Sequence, residues 1–335
     1  MNGYGRVMRR LLPVLLALPL AAAGPEPGVV VDLPVSDAEV AKLRESGAKT
    51  ARMFAFSTSN RPTDYDDTVR RLRAAGVSPQ FVLVGDPANP PTTRAEIRSF
   101  VSFAKAMARH FEGKVAGFEI WNEQDAPAWW AGMPPVDGRR RDARPYVRLL
   151  KPAYRALKRI HRRTPVVVGG LTGNDFRFVE ALYRAGGKGF FDAVATHTDT
   201  ACGIASPNSF YREADGRIGQ FTFPSYREVH RVMRRHGDGR KRIWMTELGW
   251  STTAMTCDSG RWAGQKPAGV SEARQAAFVT AAFAHLRRSK VVAKAMVFRL
   301  ADRPGGAAHD SYGLLRVDGG EKPAFAAFRA YARNR

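Results

Sequence analysis

The chain has 335 residues, with 53 Lys plus Arg against 31 Asp plus Glu and a formal net charge of +22. A hydrophobic share of 44% and a charged share of 25% are those of a globular protein and exclude both a disordered chain and a bilayer-embedded one. The length fits one large domain or two ordinary ones, and the charge makes anionic partners, nucleic acid first among them, the ones to weigh.

Residues 1–10 carry Arg6, Arg9 and Arg10 and no acid, and 11–23 read LLPVLLALPLAAA. The basic flank, the short apolar run and the small-residue spacing of Ala21 and Ala23 are those of a secretory signal peptide cleaved after Ala23. About 20 apolar residues are needed to span a bilayer, so a stable membrane anchor is not expected. The mature chain would run from 24 to 335, and loss of the three leader arginines lowers the charge from +22 to +19. Secretion shifts the expected anionic partner from nucleic acid to a cell-wall polymer or an anionic polysaccharide.

From there short apolar, β-branched runs alternate with amphipathic helical ones. Strands are predicted over 29–33, 49–57, 79–85, 115–123, 165–170, 191–198, 242–249 and 293–300. Helices are predicted over 36–46, 64–75, 93–111, 144–162, 175–185, 226–236, 271–288 and 323–332. Ser36 and Asp37 offer a cap to the first helix, and Gly47, Gly76 and Gly237 follow the first, second and sixth. Runs such as VVVDL, FVLVG and PVVVGG are apolar throughout, as parallel strands buried on both faces require. Eight such units, with no linker between them, predict a single (β/α)8 TIM barrel. The competing open, doubly wound sheet would call for a Gly-rich phosphate turn after an early strand, and Val31-Asp32-Leu33-Pro34 is not one.

A barrel of this kind carries its chemistry at the C-terminal ends of its strands. Two of those ends carry a glutamate. On the fourth strand Glu119, Trp121 and Glu123 alternate with Phe118 and Ile120, which sets Glu123 at the mouth. On the seventh, Ile243, Met245 and Glu247 share a face. Strands four and seven oppose each other across a barrel, so two carboxyl groups distant in sequence can meet around one bond. A lone glutamate at a strand end is ordinarily solvated or salt-bridged; the pair is what glycoside hydrolysis uses.

Phe118-Glu119-Ile120-Trp121-Asn122-Glu123 resembles the acid/base strand of clan A glycoside hydrolases, and Trp244-Met245-Thr246-Glu247-Leu248-Gly249-Trp250 resembles their nucleophile strand. The segments 170–175, 178–183 and 191–197 are similar to the fifth and sixth units of bacterial members near families 5 and 39, and the resemblance covers about residues 28–332. It implies a retaining glycosidase acting on β-linked oligosaccharide or polysaccharide, with Glu123 as general acid/base and Glu247 as nucleophile. Asn122 would hydrogen-bond the sugar 2-hydroxyl, Arg52 would hold Glu247 ionised, and His197 would line the site. An ordinary buried ion pair for Arg52 and a locally satisfied core histidine for His197 are the alternatives.

Asp199 stands where the family often has Tyr, and Arg299 falls where the eighth strand often ends in Trp. The sugar platform is therefore expected elsewhere, among Trp129, Trp130, Trp250 and Trp262, unless these are packing residues. The charges of Asp199 and Arg299 suit a charged glycan. Cys202 and Cys257 fall in the loops after strands six and seven and, in an oxidising compartment, form one disulfide or else remain two thiols. No metal-binding spacing, P-loop or other cofactor motif is present, so a cofactor-free monomer is expected. The rival function is a non-catalytic glycan-binding or cell-wall-associated basic protein on the same scaffold.

Overall fold

The structure is a computed structural model that describes residues 24–133, 141–199, 206–253, 269–305 and 308–335. Residues 1–23, where a leader is expected, and Cys202, Cys257 and Trp262 lie outside the described residues. Eight parallel strands close into one barrel in sequence order: β1 (Glu26–Val30), β2 (Thr50–Phe56), β3 (Ser78–Val84), β4 (Gly117–Ile120), β5 (Val166–Leu171), β6 (Ala193–Asp199), β7 (Arg242–Gly249) and β8 (Val292–Val297). Eight helices alternate with them: α1 (Asp37–Ser46), α2 (Asp66–Ala74), α3 (Arg94–His110), α4 (Arg144–Ile160), α5 (Phe176–Arg184), α6 (Tyr226–Arg235), α7 (Glu272–Arg287) and α8 (Pro323–Arg333). The expected (β/α)8 barrel is the observed fold. Among the described residues no helix is long and apolar enough to cross a membrane.

The helix ends are set by local chemistry. Ser36 accepts from the Glu39 amide while the Glu39 carboxylate accepts from the Ser36 amide, and Thr93 and Glu96 repeat the box before α3. Gly47 ends α1 at φ 80°, a conformation that favours glycine.

The core has two layers of different composition. Outside the strands, Ala51 and Met53 of β2, Phe118 and Ile120 of β4, and Ile243 and Met245 of β7 join one apolar cluster with the helices. Inside the lower barrel, Val167, Ala193, Ala195 and Trp244 form a second cluster. Ile243 and Met245 therefore face outward and Trp244 inward, so simple alternation would point Glu247 at the helices. The predicted shared face of Ile243, Met245 and Glu247 is not formed. A bulge corrects the direction. Met245 pairs with Thr196 but Glu247 pairs with His197, leaving Thr246 as the extra residue. Such an insertion re-aims the side chains that follow it. Glu247 is thereby turned back into the barrel.

The fourth strand also departs from its prediction. It ends at Ile120, and both Trp121 and Glu123 have positive φ, 70° and 43°. A bulky residue in that region is uncommon and persists only where its surroundings hold it. Trp121 is held by its Nε1 donating to the Trp129 carbonyl at 2.6 Å and by ring contacts with Phe100 and Trp130. It packs among the helices and does not share the inner face with Glu119 and Glu123.

Candidate active site

Above the apolar plug the barrel interior turns polar, and one buried carboxylate organises it. Glu119 of β4 is fully buried and accepts from five donors: Arg52 Nε (2.9 Å), Arg52 Nη2 (3.1 Å), Gln80 Nε2 (3.1 Å), the Gly170 amide (2.7 Å) and Thr246 Oγ1 (3.4 Å). Arg52 of β2, also fully buried, spans from Glu119 to Glu247, with Nη1 2.5 Å from Glu247 Oε1. Its Nη2 also donates to Asn122 Oδ1 at 2.8 Å. Burial by itself lowers the guanidinium's pKa, but Glu119 and Glu247 outweigh it and push the pKa up. The ion pair expected between Arg52 and Glu247 is thus present, and Glu119 is the member of the network whose role the sequence did not disclose.

Removing one partner of a buried ion pair costs about 3–5 kcal/mol, out of a total stability of about 5–15 kcal/mol. Glu119→Ala strips the acceptor from all five donors at once and is expected to lose stability on that scale, with Glu119→Gln losing less. Urea unfolding measures both; a loss below about 1 kcal/mol for the alanine variant would contradict the role given to Glu119.

Glu123 sits in the turn after β4, its amide donating to the Gly170 carbonyl at 2.8 Å. His197 of β6 is fully buried, with Nδ1 2.7 Å from Glu123 Oε1 and Nε2 3.6 Å from Glu247 Oε1. One carboxylate oxygen of Glu123, one of Glu247 and a ring nitrogen of His197 all lie within 4.8 Å of one another. Gly170 makes room for this, since a Cβ there would lie 1.9 Å from His197 Nε2. Burial raises the Glu123 carboxyl to about 7; Arg52 and His309 pull against the rise and Glu119 adds to it. The three side chains could ligate a cation by geometry alone. Arg52, however, already sets its charge 2.5 Å from Glu247 and 3.5 Å from His197 Nε2, and a second positive charge there would be repelled.

The carboxylates open onto a cavity of about 600 Å³. One wall is aromatic. Phe54 and Phe56 follow Arg52 on the inner face of β2, and Trp129 stacks on Phe54 with centroids 5.6 Å apart at 18°. Asn122, Glu123, Glu247, Trp129 and Arg299 all line this space. Trp250 does not: it is 2% exposed and packs against Phe278 and Phe223. Trp130 is likewise buried, against Trp121 and Tyr146. Their indoles fill the shell between strands and helices, so the candidate platform is Trp129 with Phe54 and Phe56. Asp199 ends β6 opposite Gly249, its side chain outside the described residues. The alternation of Arg52, Phe54 and Phe56 could have disclosed the β2 wall, because residues two apart share a strand face.

No family model matches the sequence, and neither does a curated protein. Solved structures do match. A family 39 glycoside hydrolase from the gut symbiont Bacteroides cellulosilyticus aligns with a TM-score of 0.73 at 20% identity, over 93% of this chain and 64% of that one. A monomeric beta-xylosidase from Caulobacter crescentus aligns at 0.62 and 17% identity, over 92% and 69%. A family 5 glycoside hydrolase, subfamily 18, from Bifidobacterium longum, solved with Manβ1-4GlcNAc, aligns at 0.62 and 12% identity, over 92% and 78%. The chain thus spans under two thirds of the first and somewhat more of the other two. The resemblance to clan A enzymes near families 5 and 39 holds at the level of fold.

Proposed function

We propose that the chain is a retaining glycoside hydrolase acting on β-linked oligosaccharide or polysaccharide. The observation that carries this reading is the approach of Glu123 and Glu247 oxygens to within 4.8 Å across the mouth of the barrel. Carboxyl groups about 5 Å apart leave no room for an intervening water and suit direct attack by one of them, whereas inverting pairs stand about 6.5–9.5 Å apart. The solved enzymes with this fold, a beta-xylosidase among them, support the β-linked class.

The two carboxyls are held in different states. Arg52 aims Glu247 through the 2.5 Å contact of Nη1 with Oε1, and an opposite charge at that distance favours a carboxylate, which suits the nucleophile. Glu123, lifted to about 7, is available as an acid at neutral pH. In the first step Glu123 gives its proton to the glycosidic oxygen while Glu247 attacks the anomeric carbon; the leaving alcohol departs and a glycosyl ester remains. In the second step the Glu123 carboxylate takes a proton from water, the water oxygen attacks the same carbon, and Glu247 leaves. His197, bonded to Glu123 and close to Glu247, fixes their separation. Secretion, expected from the leader-like pattern of residues 1–23, would place the enzyme among extracellular polymers.

The test is stereochemical. Proton NMR of aryl β-glycoside cleavage at early times is expected to show the β-anomer of the free sugar first. Initial release of the α-anomer would replace the reading with an inverting one, and no cleavage across a broad glycoside panel would remove it.

A further inference from the structure

The cavity has a cationic corner that two-carboxylate chemistry leaves unused. Arg299 follows β8 into the cavity wall and is only 4% exposed, yet its Nε and Nη1 are shielded from solvent and hydrogen-bonded to nothing. The nearest carboxylate oxygen, Asp32 Oδ2, lies 3.3 Å from Nη1 without forming a hydrogen bond. Asp32 is itself gripped through both oxygens by Arg303. At contact distance, then, two guanidinium groups meet one carboxylate, and His309 lines the same cavity. Burial drives the Arg299 pKa down; Asp32, Asp310 and Glu247 oppose the fall and Arg303 adds to it. Buried donors without acceptors are costly and rare, and where they persist in a cavity wall an absent ligand is one of the explanations they call for.

We propose that Arg299, backed by Arg303 across Asp32, is the carboxylate-binding subsite of this cavity, and that the substrate is a glycan whose bound sugar is a uronic acid. The proposal rests on the glycosidase reading above. At contact distance the two guanidinium groups share the single Asp32 carboxylate, an excess of one that suits a monoanionic carboxylate better than a phosphate dianion. A small swing of the guanidinium within the wall would bring its unused donors to the ligand in a planar, charge-assisted pair. The corner shares its cavity with Glu247, whose field reaches Arg299, so the recognised carboxylate and the reacting glycosidic bond would belong to one sugar or to adjacent ones. The excess of basic residues over the chain would draw an acidic polymer to the surface.

The experiment compares 4-methylumbelliferyl β-D-glucuronide with the corresponding β-D-glucoside and β-D-xyloside on the full chain, Arg299→Gln and Arg299→Lys. The native chain is expected to prefer the uronide by about tenfold or more in kcat/KM. Arg299→Gln should lower the uronide-to-neutral ratio by about 100-fold, mainly through KM, with Arg299→Lys recovering part of it. A native preference for neutral glycosides, or a ratio unchanged in Arg299→Gln, overturns the subsite and leaves the glycosidase reading standing. If no glycoside is cleaved, that reading falls, and calorimetric titration with free glucuronate against glucose decides the subsite alone. Glucuronate binding about tenfold tighter than glucose and lost in Arg299→Gln supports it; equal binding of the two sugars overturns it.

Discussion

Glu247→Gly is expected to reduce hydrolysis of aryl β-glycosides by about 10⁴-fold or more, and sodium azide to restore cleavage as an α-glycosyl azide. The glycine removes the attacking oxygen but leaves the rest of the network standing. Arg52 keeps both contacts with Glu119 and its bond to Asn122, so its guanidinium stays at the vacated position. A small anion is drawn there by the same charge that held the carboxylate. Azide then attacks the anomeric carbon from the nucleophile's side, and Glu123 still protonates the leaving oxygen. The product has inverted configuration because only one displacement occurs. A folded Glu247→Gly chain that gives no glycosyl azide, from a native chain that cleaves the same substrate, would take the nucleophile role away from Glu247.

Much of this site was legible in the sequence because the barrel repeats a simple unit. Short, continuous apolar runs fit strands covered on both sides, and the amphipathic runs between them fit the cover. From that follow the closed barrel and the meeting of strands four and seven. What stayed hidden lies where the backbone leaves its period. Glu247 reaches the interior only because Thr246 is an extra residue; its place at the strand end pointed to the mouth, but alternation by itself would have sent it outward with Ile243 and Met245. Trp121 turns outward at φ 70°, which no spacing rule announces. Trp250 reads as a platform residue because sugar sites favour indoles, but the shell between strand and helix favours them too, and burial decides between these. Glu119 was visible on the inner face of β4, yet its importance depends on donors from β2, β3, β5 and β7, an assembly only the closed barrel creates.

Above pH 7 the native chain should lose kcat/KM about tenfold per pH unit, and Glu123→Gln should lack that limb altogether. The cause is the Glu123 carboxyl, raised to about 7 chiefly by burial, with Glu119 adding to the rise against Arg52 and His309. Below that pH the proton needed by the leaving oxygen is in place; above it the acid is spent. Glu123→Gln should cost about 10²–10⁴-fold on poor leaving groups and far less on 2,4-dinitrophenyl glycosides, which depart without a proton. The substitution Glu123→Gln should move stability the opposite way from activity. A carboxyl whose pKa is higher in the fold than in the unfolded chain stabilises the fold fully below its unfolded value of 4.5, and that contribution is lost as pH rises through 7. Ionising Glu123 at pH 8 therefore costs the fold on the order of 3 kcal/mol that a neutral glutamine does not incur. Urea unfolding at pH 8 is expected to find Glu123→Gln more stable than the native chain, with the gap narrowing toward pH 5. A pH-independent gap would mean that the proton is held elsewhere. If the gap does open with pH, the charge that makes Glu123 a base in the second step is the same charge that the native fold tolerates at a loss of stability.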